Sequence, residues 1–275
     1  MSLIINTNIA SLVAQTNLAN SNTQLKVSVQ RLSSGYRVNS SADDAAGLAR
    51  ADQLKSQSRM IQASMRNIND GLSTMEIADK ASEQITGIVT RMGELAASAA
   101  QGTLDTNTRD YYKNEYDKLV SEIDRIASTT EFGGYKILNG SLTSLTMFIG
   151  FKNSSNDQLS VSLNALTTVS TLNLSTGILA NVTGALSALD AVSAALKSIN
   201  DARAIFGASS NRLSVSLNNL QVTFTNFQAA ESRIRDADFA YETAVYTRNQ
   251  IMVQAGTSVL AQANTLPQQA LTLLR

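Results

Sequence analysis

From about Ala42 to Ala99 the sequence carries apolar side chains at intervals of three and four, with no proline to interrupt them. Ile61, Met65, Ile68, Leu72 and Met75 form one track; Ala78, Ala81, Ile85, Ile88, Met92, Leu95 and Ala99 continue it after a small phase slip. That period marks one face of an α-helix. Gly102 is its expected stop. A helix of roughly sixty residues is about 85–90 Å long. A compact globule of 275 residues has a diameter of only about 50 Å. The segment therefore predicts an elongated rod.

Charge along the chain narrows the reading. The first charged side chain is Lys26, and none lies between Arg248 and Arg275. Both neutral ends are interrupted by amides, Asn6, Asn8, Gln15 and Asn17 in one and Gln250, Gln254, Gln262 and Asn264 in the other. Neither end reads as a membrane span. The first residues offer no basic stretch followed by a continuous apolar run, so no cleavable secretory signal is expected. The C-terminal stretch repeats every seven residues through Val245, Met252, Val259, Leu266 and Leu273, with Gly256, Ala263 and Ala270 between them. Small residues beside such a seam let helices approach closely. The N-terminal stretch answers with Ile5, Ile9, Leu12, Leu18, Leu25, Val29 and Leu32. A solvated helix would carry charge on its outer face, so the two ends are expected to pair with each other as a coiled coil.

Two further helices are expected. One, capped by Asp105 or a neighbouring Thr, places Tyr112, Tyr116, Leu119, Ile123 and Ile126 on one face. The other runs from Leu189, Val192, Leu196 and Ile199 through Phe206 to Leu213, Leu217, Leu220, Phe224, Phe227 and Ile234. Between about Gly133 and Gly184 the period shifts to two. Leu145, Met147, Ile149 and Phe151, then Leu159, Val161 and Leu163, alternate with polar residues across the turn Asn153–Asp157, which predicts a β-hairpin as the only β element. The fold class is thus mainly α: an elongated rod of long helices and a terminal coiled coil, with a small β-hairpin.

Several function classes are excluded. The chain has no Cys and no His, hence no thiolate, no imidazole base and no Cys- or His-ligated metal. Equal numbers of basic and acidic residues, 22 each, argue against a nucleic-acid partner. Asp43 and Asp44 form a carboxylate pair, but beside Ser40 and Ser41 they read better as residues of the first helical turn, where acid groups favour the dipole. No constellation of base, nucleophile and metal ligand appears; the chain is not expected to be an enzyme or to need a cofactor. Asn139, Asn153, Asn173 and Asn181 each open an Asn-x-Ser/Thr triplet, which this composition yields by chance.

The run Arg31-Leu32-Ser33-Ser34-Gly35-Tyr36-Arg37-Val38-Asn39-Ser40, followed by Ala42-Asp43-Asp44-Ala45-Ala46-Gly47-Leu48 and Asn67-Ile68-Asn69-Asp70-Gly71, resembles the N-terminal signature of bacterial flagellins. Ser232-Arg233-Ile234, Asp236-Ala237-Asp238, the run Gln254 to Asn264, Pro267-Gln268 and the ending Leu273-Leu274-Arg275 resemble their C-terminal signature. The resemblance covers about 1–138 and 186–275. It departs at Arg235, where the family usually has an acidic residue, so a local ion pair is expected to differ.

The resemblance implies a short-form subunit without outer domains. Residues 1–42 and 237–275 would form the inner coiled coil, with Leu18, Leu25, Leu32, Met252, Val259, Leu266 and Leu273 packing the filament core. Residues 43–138 would supply N-terminal helices of a middle domain, 139–185 its hairpin and loops, and 186–236 its C-terminal helix. The implied function is self-assembly into the flagellar filament for motility; a hook–filament junction protein is the alternative. Implied partners are other copies of itself, an export chaperone, the filament cap and the hook–filament junction proteins, without membrane insertion. The implied location is a secreted filament, extracellular or periplasmic. Arg91, Leu95 and Glu115 match positions through which flagellins resemble ligands of a Toll-like innate immune receptor. Leu95 also continues the track of Ile88 and Met92, and packing is its primary reading. Arg31 and Arg37 read equally well as interface or ion-pair residues near the neck between inner and middle domains and as solvent-exposed side chains.

Overall fold

A computed structural model of the chain describes residues 7–152, 154–162 and 172–272, with side chains described up to Thr265. The chain divides into two compact units, Met1–Ser58 with Asn226–Arg275, and Arg59–Thr225. Five helices dominate: α1 (Ile9–Ser34), α2 (Ala45–Ala99), α3 (Thr106–Thr129), α4 (Val182–Arg235) and α5 (Phe239–Thr272). At 55 residues, α2 is about 82 Å long. The mainly helical class with long helices is as expected.

Two facing seams build the core of the Arg59–Thr225 unit. Besides Thr74 and Leu95, which are buried at its flanks, the α2 stripe in this unit is Ile61, Ser64, Ile68, Gly71, Met75, Ala78, Ser82, Ile85, Val89, Met92, Ala96 and Ala99. They alternate by three and four without a break. The phase slip read from the sequence is therefore absent. It arises when only large apolar residues are counted: Met65, Leu72, Ala81 and Ile88 are half-buried flanks, and the seam positions beside them belong to Ser64, Gly71, Ser82 and Val89. Ser82 satisfies its hydroxyl by donating to the Ala78 carbonyl one turn back, at 2.8 Å, so a polar residue sits there without an orphaned group.

The opposing face of α4 repeats the same spacing, large side chains at Val192, Ile199, Phe206 and Leu213 alternating with small ones at Ala188, Ala195, Ala202 and Ser209. The helices run antiparallel, as three contacts fix: Gly71 lies against Leu213, Gly93 against Val192, and the Arg203 guanidinium bonds to Asp79 at 2.8 Å. Large residues of one helix thus face glycine or small residues of the other, the interdigitation that close helix approach needs. Each fully buried Ile or Leu contributes about 1.5–3 kcal/mol.

Helix α3 buries Tyr116, Val120, Ile123 and Ala127, partly the expected face. Asp105 holds its N-cap position without a side-chain bond to the backbone. The α3 residue Asp117 accepts a hydrogen bond from Gly177 N at 2.8 Å and so ties the loop before α4 to this helix.

Strands β3 (Ser144–Phe148) and β4 (Gln158–Ser162) form the anticipated hairpin, with Leu145 opposite Val161 and Met147 opposite Leu159. Met147, Leu159 and Val161 are buried, while Thr146 and Ser160 face out and share a hydrogen bond of 3.0 Å. Ile149 and Phe151 fall in the connection rather than the strand, and Leu163 lies outside the described residues. On α2, the Ser64 hydroxyl donates to the Gly150 carbonyl, anchoring that connection to the seam. The hairpin is not the only β element. A second, β1 (Glu131–Phe132) with β2 (Tyr135–Lys136), turns on Gly133 and Gly134, both at positive φ; such a turn requires residues without a Cβ penalty.

Candidate assembly surface

In the other unit, α1 and α5 lie against each other and run antiparallel. Asn8 donates to the Ala263 carbonyl at 2.8 Å, and Ser11 donates to the Asn264 amide oxygen at 2.8 Å. Leu18 lies on Gly256 so closely that a Cβ there would come within 3.2 Å of its methyl. Farther along, Arg31 pairs with Glu242 at 3.6 Å. Neutral ends joined in this way are what the charge pattern anticipates.

What the seam buries is less expected. On α1 the buried residues are Ser11, Ala14 and Ser28; on α5 they are Glu242 and Ala263, with Asn249, Val253, Gly256 and Leu260 half-buried at the same three-four spacing. The most deeply buried seam positions are therefore polar or small, beside half-buried Leu18, Val253 and Leu260. Other large apolar residues point away: Ile9, Leu12 and Val13 on α1, and Ile251, Met252 and Val259 on α5, are all more than half exposed. Among the residues expected to pack a filament core, Leu18, Leu25 and Leu32 are half-buried, and Met252 and Val259 lie on the outer face. The side chain of Leu266 and the whole of Leu273 lie outside the described residues. A helix pair whose apolar stripe faces outward presents a surface suited to burial against other molecules.

The connection between α1 and α2 is docked onto the end of α4. Arg37 N and Val38 N donate to the Arg235 carbonyl at 2.7 and 3.3 Å, Ala237 N donates to the Gly35 carbonyl at 2.9 Å, and Arg37 Nη2 reaches the Ile234 carbonyl at 2.5 Å. These bonds occupy carbonyls that a helix end leaves free. Gly35 takes φ 73°, the left-handed turn that ends α1. Arg235 stacks over Tyr36 at 4.5 Å and approaches Asp52 at 3.4 Å, so a cation is accommodated by an aromatic face and a carboxylate. The Arg235 departure noted in the sequence thus has a local partner.

Asp43 and Asp44 do not lie in the first turn of α2; they precede it. Asp44 accepts from Gly47 N at 2.8 Å, which makes it the cap. Asp43 instead closes the turn before it, accepting from Asn39 N at 3.1 Å and Ser40 N at 2.9 Å. The Ser40 amide, then the Asn39 amide, hold its carboxyl below the usual range. Both carboxylates are engaged by backbone donors because the chain must bend here before the long helix begins.

In the Arg59–Thr225 unit, Arg91 bonds to Glu115 at 3.0 Å across to α3 and to Glu94 at 2.9 Å along α2. The Glu94 bond, then the Glu115 bond, raise the guanidinium above its ordinary value. Leu95 is 2% exposed and packs in the core, so the face offered at this place is the ion-pair cluster. No group of three or more metal-binding side chains occurs among the described residues.

The chain is similar to known proteins along its whole length. Residues 5–143 match the family model for the bacterial flagellin N-terminal helical region, and residues 189–274 match that for the C-terminal helical region. A flagellin of Halalkalibacterium halodurans is 36% identical over 273 residues, covering 99% of this chain and 100% of that protein. Flagellin FlaB2 of Treponema pallidum is 35% identical over 291 residues, again covering 99% and 100%. The alignment with flagellin A of Vibrio cholerae covers both chains fully but runs over 379 positions at 31% identity, so that relative carries more residues. Among solved structures, the Bacillus cereus flagellin is 31% identical with a TM-score of 0.49, covering 56% of this chain and 88% of that one.

Proposed function

This chain belongs to the bacterial flagellin family in a short form and is a structural subunit of the flagellar filament, and from that premise we propose that the outward apolar faces of α1 and α5 are the surfaces on which copies of the chain polymerise. One observation carries the reading: Ile9, Leu12, Val13, Ile251, Met252 and Val259 are exposed while Ser11, Ser28 and Glu242 are buried. The arrangement suits a helix pair that is completed only by neighbours. Each exposed apolar side chain buried by a neighbouring copy would contribute about 1.5–3 kcal/mol, and helical repetition multiplies that gain for every subunit. The neutral ends fit the same role, because a charge in the packed core would be desolvated beside its own symmetry copies.

The inner part is residues 1–42 with 237–275. The middle part is residues 43–138, 139–185 and 186–236. Leu18, Leu25, Leu32, Met252 and Val259, with Leu266 and Leu273 beyond the described side chains, pack the core of the filament. Partners besides other copies are an export chaperone on the C-terminal helix, the filament cap, the hook–filament junction proteins and a Toll-like innate receptor at Arg91 and Glu115. The filament is extracellular, or periplasmic in an organism with internal flagella.

Seeded polymerisation tests the reading. Purified subunit added to sheared filament seeds grows long uniform tubes visible by negative-stain electron microscopy. Val259→Asp stops elongation without lowering the thermal stability of the rest of the chain. Growth of the variant at the wild-type rate would refute a packed role for that face.

A further inference from the structure

The loop that joins β2 to β3 contains the only Asn-Gly dipeptide in the chain, Asn139-Gly140. A glycine after asparagine leaves its backbone nitrogen unshielded, and that nitrogen can attack the preceding side-chain amide carbon. Here Gly140 sits at φ 81°, and a Cβ built on it would meet nothing within 4 Å. No side chain shields the residue on that side of its Cα, and Gly140 is exposed. Its nitrogen makes no hydrogen bond with any described residue, so no bond need break before it reacts.

The amide oxygen of Asn139 is held by two donors. This oxygen, Oδ1, accepts from Ser141 N at 3.0 Å and from Ser141 Oγ at 2.5 Å. Two donors on one carbonyl oxygen draw electron density from the carbon and stabilise the negative charge that develops on oxygen in a tetrahedral intermediate. Both Gly140 and Ser141 are exposed, so water reaches whatever forms.

We propose that Asn139–Gly140 is a self-modification site at which the asparagine amide is lost spontaneously. The Gly140 nitrogen forms a bond to Asn139 Cγ and gives up its proton; the Cγ–Nδ2 bond breaks, and ammonia leaves with that proton. Water then opens the five-membered imide at either carbonyl, giving aspartate or the isomer in which the main chain runs through the side-chain carboxyl carbon. No oxidant or cofactor takes part. A formally neutral chain acquires one negative charge, and in the isomer one extra main-chain atom separates the fully buried Leu138 from strand β3. Subunits that persist in a long-lived assembly are thereby marked by age.

The chain contains its own comparison. Asp70-Gly71 has the other sequence prone to imide formation, but it lies inside α2, where the Gly71 nitrogen belongs to the helix ladder and the residue is buried. Asn39-Ser40 is exposed, yet the Ser40 nitrogen is bound to Asp43. Of these three sites among the described residues, the 139–140 loop alone combines an unbonded nitrogen, an activated carbonyl and access to water.

Purified full-length chain and sedimented filaments are incubated at mildly alkaline pH and body temperature, and followed by intact mass and peptide mapping with detection of isoaspartate. A free peptide spanning residues 136–142 serves as the reference. The expected result is a one-mass-unit gain at Asn139 at a rate within a few-fold of the peptide's, with Asp70 and Asn39 unchanged. Ser141→Ala, which removes the hydroxyl donor, should slow the conversion at least twofold in the folded chain. An Asn139 that stays amide in the folded chain while the peptide converts would overturn the proposal. A Ser141→Ala variant converting at the wild-type rate would overturn the assisting role of Ser141.

Discussion

Tyr116 is fully buried in the core of the Arg59–Thr225 unit, and its hydroxyl finds no hydrogen-bond partner among the described residues. Two consequences can be worked out. A buried hydroxyl left unpaired costs about 1–3 kcal/mol, so Tyr116→Phe, which removes that oxygen and keeps the ring, should stabilise the unit by about 1 kcal/mol at neutral pH, or about 2–4 °C in Tm. Burial also opposes the phenolate and pushes the hydroxyl up to about 12 from its ordinary 10. The folded pKa is the higher, so the unfolded chain loses this proton first as pH rises, and stability falls between pH 10 and 12. At pH 11 the loss is about 1.4 kcal/mol, and about 2.7 kcal/mol when both states have ionised. Tyr116→Phe should lack this component, while every other titrating group contributes equally to both proteins. Urea unfolding followed by far-ultraviolet circular dichroism at pH 7 and pH 11 supplies the four free energies. Phenolate absorbance should show one of the 7 tyrosines lagging in the wild type only. A variant less stable than wild type by more than about 1 kcal/mol at pH 7, or an identical loss in both proteins on going to pH 11, would refute the reasoning.

Other consequences follow from particular contacts. Gly71→Ala places a Cβ on the Met147 sulfur and within 3.3 Å of a Leu213 methyl, so it should cost about 1–3 kcal/mol, and adding Met147→Ala should recover part of that loss of melting temperature. Asp43 is stabilised as a carboxylate by the Ser40 and Asn39 amides; its contribution is full above the unfolded carboxyl value and is lost as pH falls through the lower folded one, so Asp43→Asn should flatten the acid limb of a melting-temperature profile below about pH 4, and an unchanged limb would contradict it. Arg31→Met leaves the buried Glu242 without its partner and should lower the temperature at which filaments depolymerise more than Glu242→Gln does; the reverse order in a turbidity scan would show that the pair is not what satisfies that carboxyl.

Much of this architecture was legible because helical periodicity is a direct projection of burial. The α2 and α4 stripes, the pairing of the neutral ends and the β3–β4 hairpin all follow from spacing. The failures share a cause: a search for large apolar residues overlooks seams built from small and polar ones. Gly71 holds a core position because Met147 of the hairpin and Leu213 of the facing helix supply the volume. Ser64 and Ser82 do so because their hydroxyls are bonded to the Gly150 and Ala78 carbonyls, and nothing local in α2 signals this. The same blindness applies to the terminal helices, where Ser11, Ser28 and Gly256 face the partner helix and Met252 and Val259 do not. The β1–β2 hairpin did have a signal, Gly133-Gly134, but two-residue strands are too short for alternation to register. Asp43 and Asp44 precede α2 by one or two positions instead of lying in its first turn, since a cap and a first-turn acid look alike until the helix start is known.

The bond from Asn8 to Ala263 joins residues 255 positions apart. Closing a flexible loop of that length costs about 5 kcal/mol of chain entropy, and the cost grows only slowly with length. The Arg59–Thr225 unit lies entirely within that loop in sequence, and its own helices form from nearer neighbours. If it folds first it removes most of the slack, and shortening the free chain to about a third lowers the closure cost by about 1 kcal/mol. More consequential is the order of events. A chain threaded or synthesised from its N-terminal end presents α1 long before α5, so α1 has no partner until α5 has emerged. Closure of the helix pair is thus timed by chain length: it waits for α5, and a copy cut short before α5 leaves α1 permanently open.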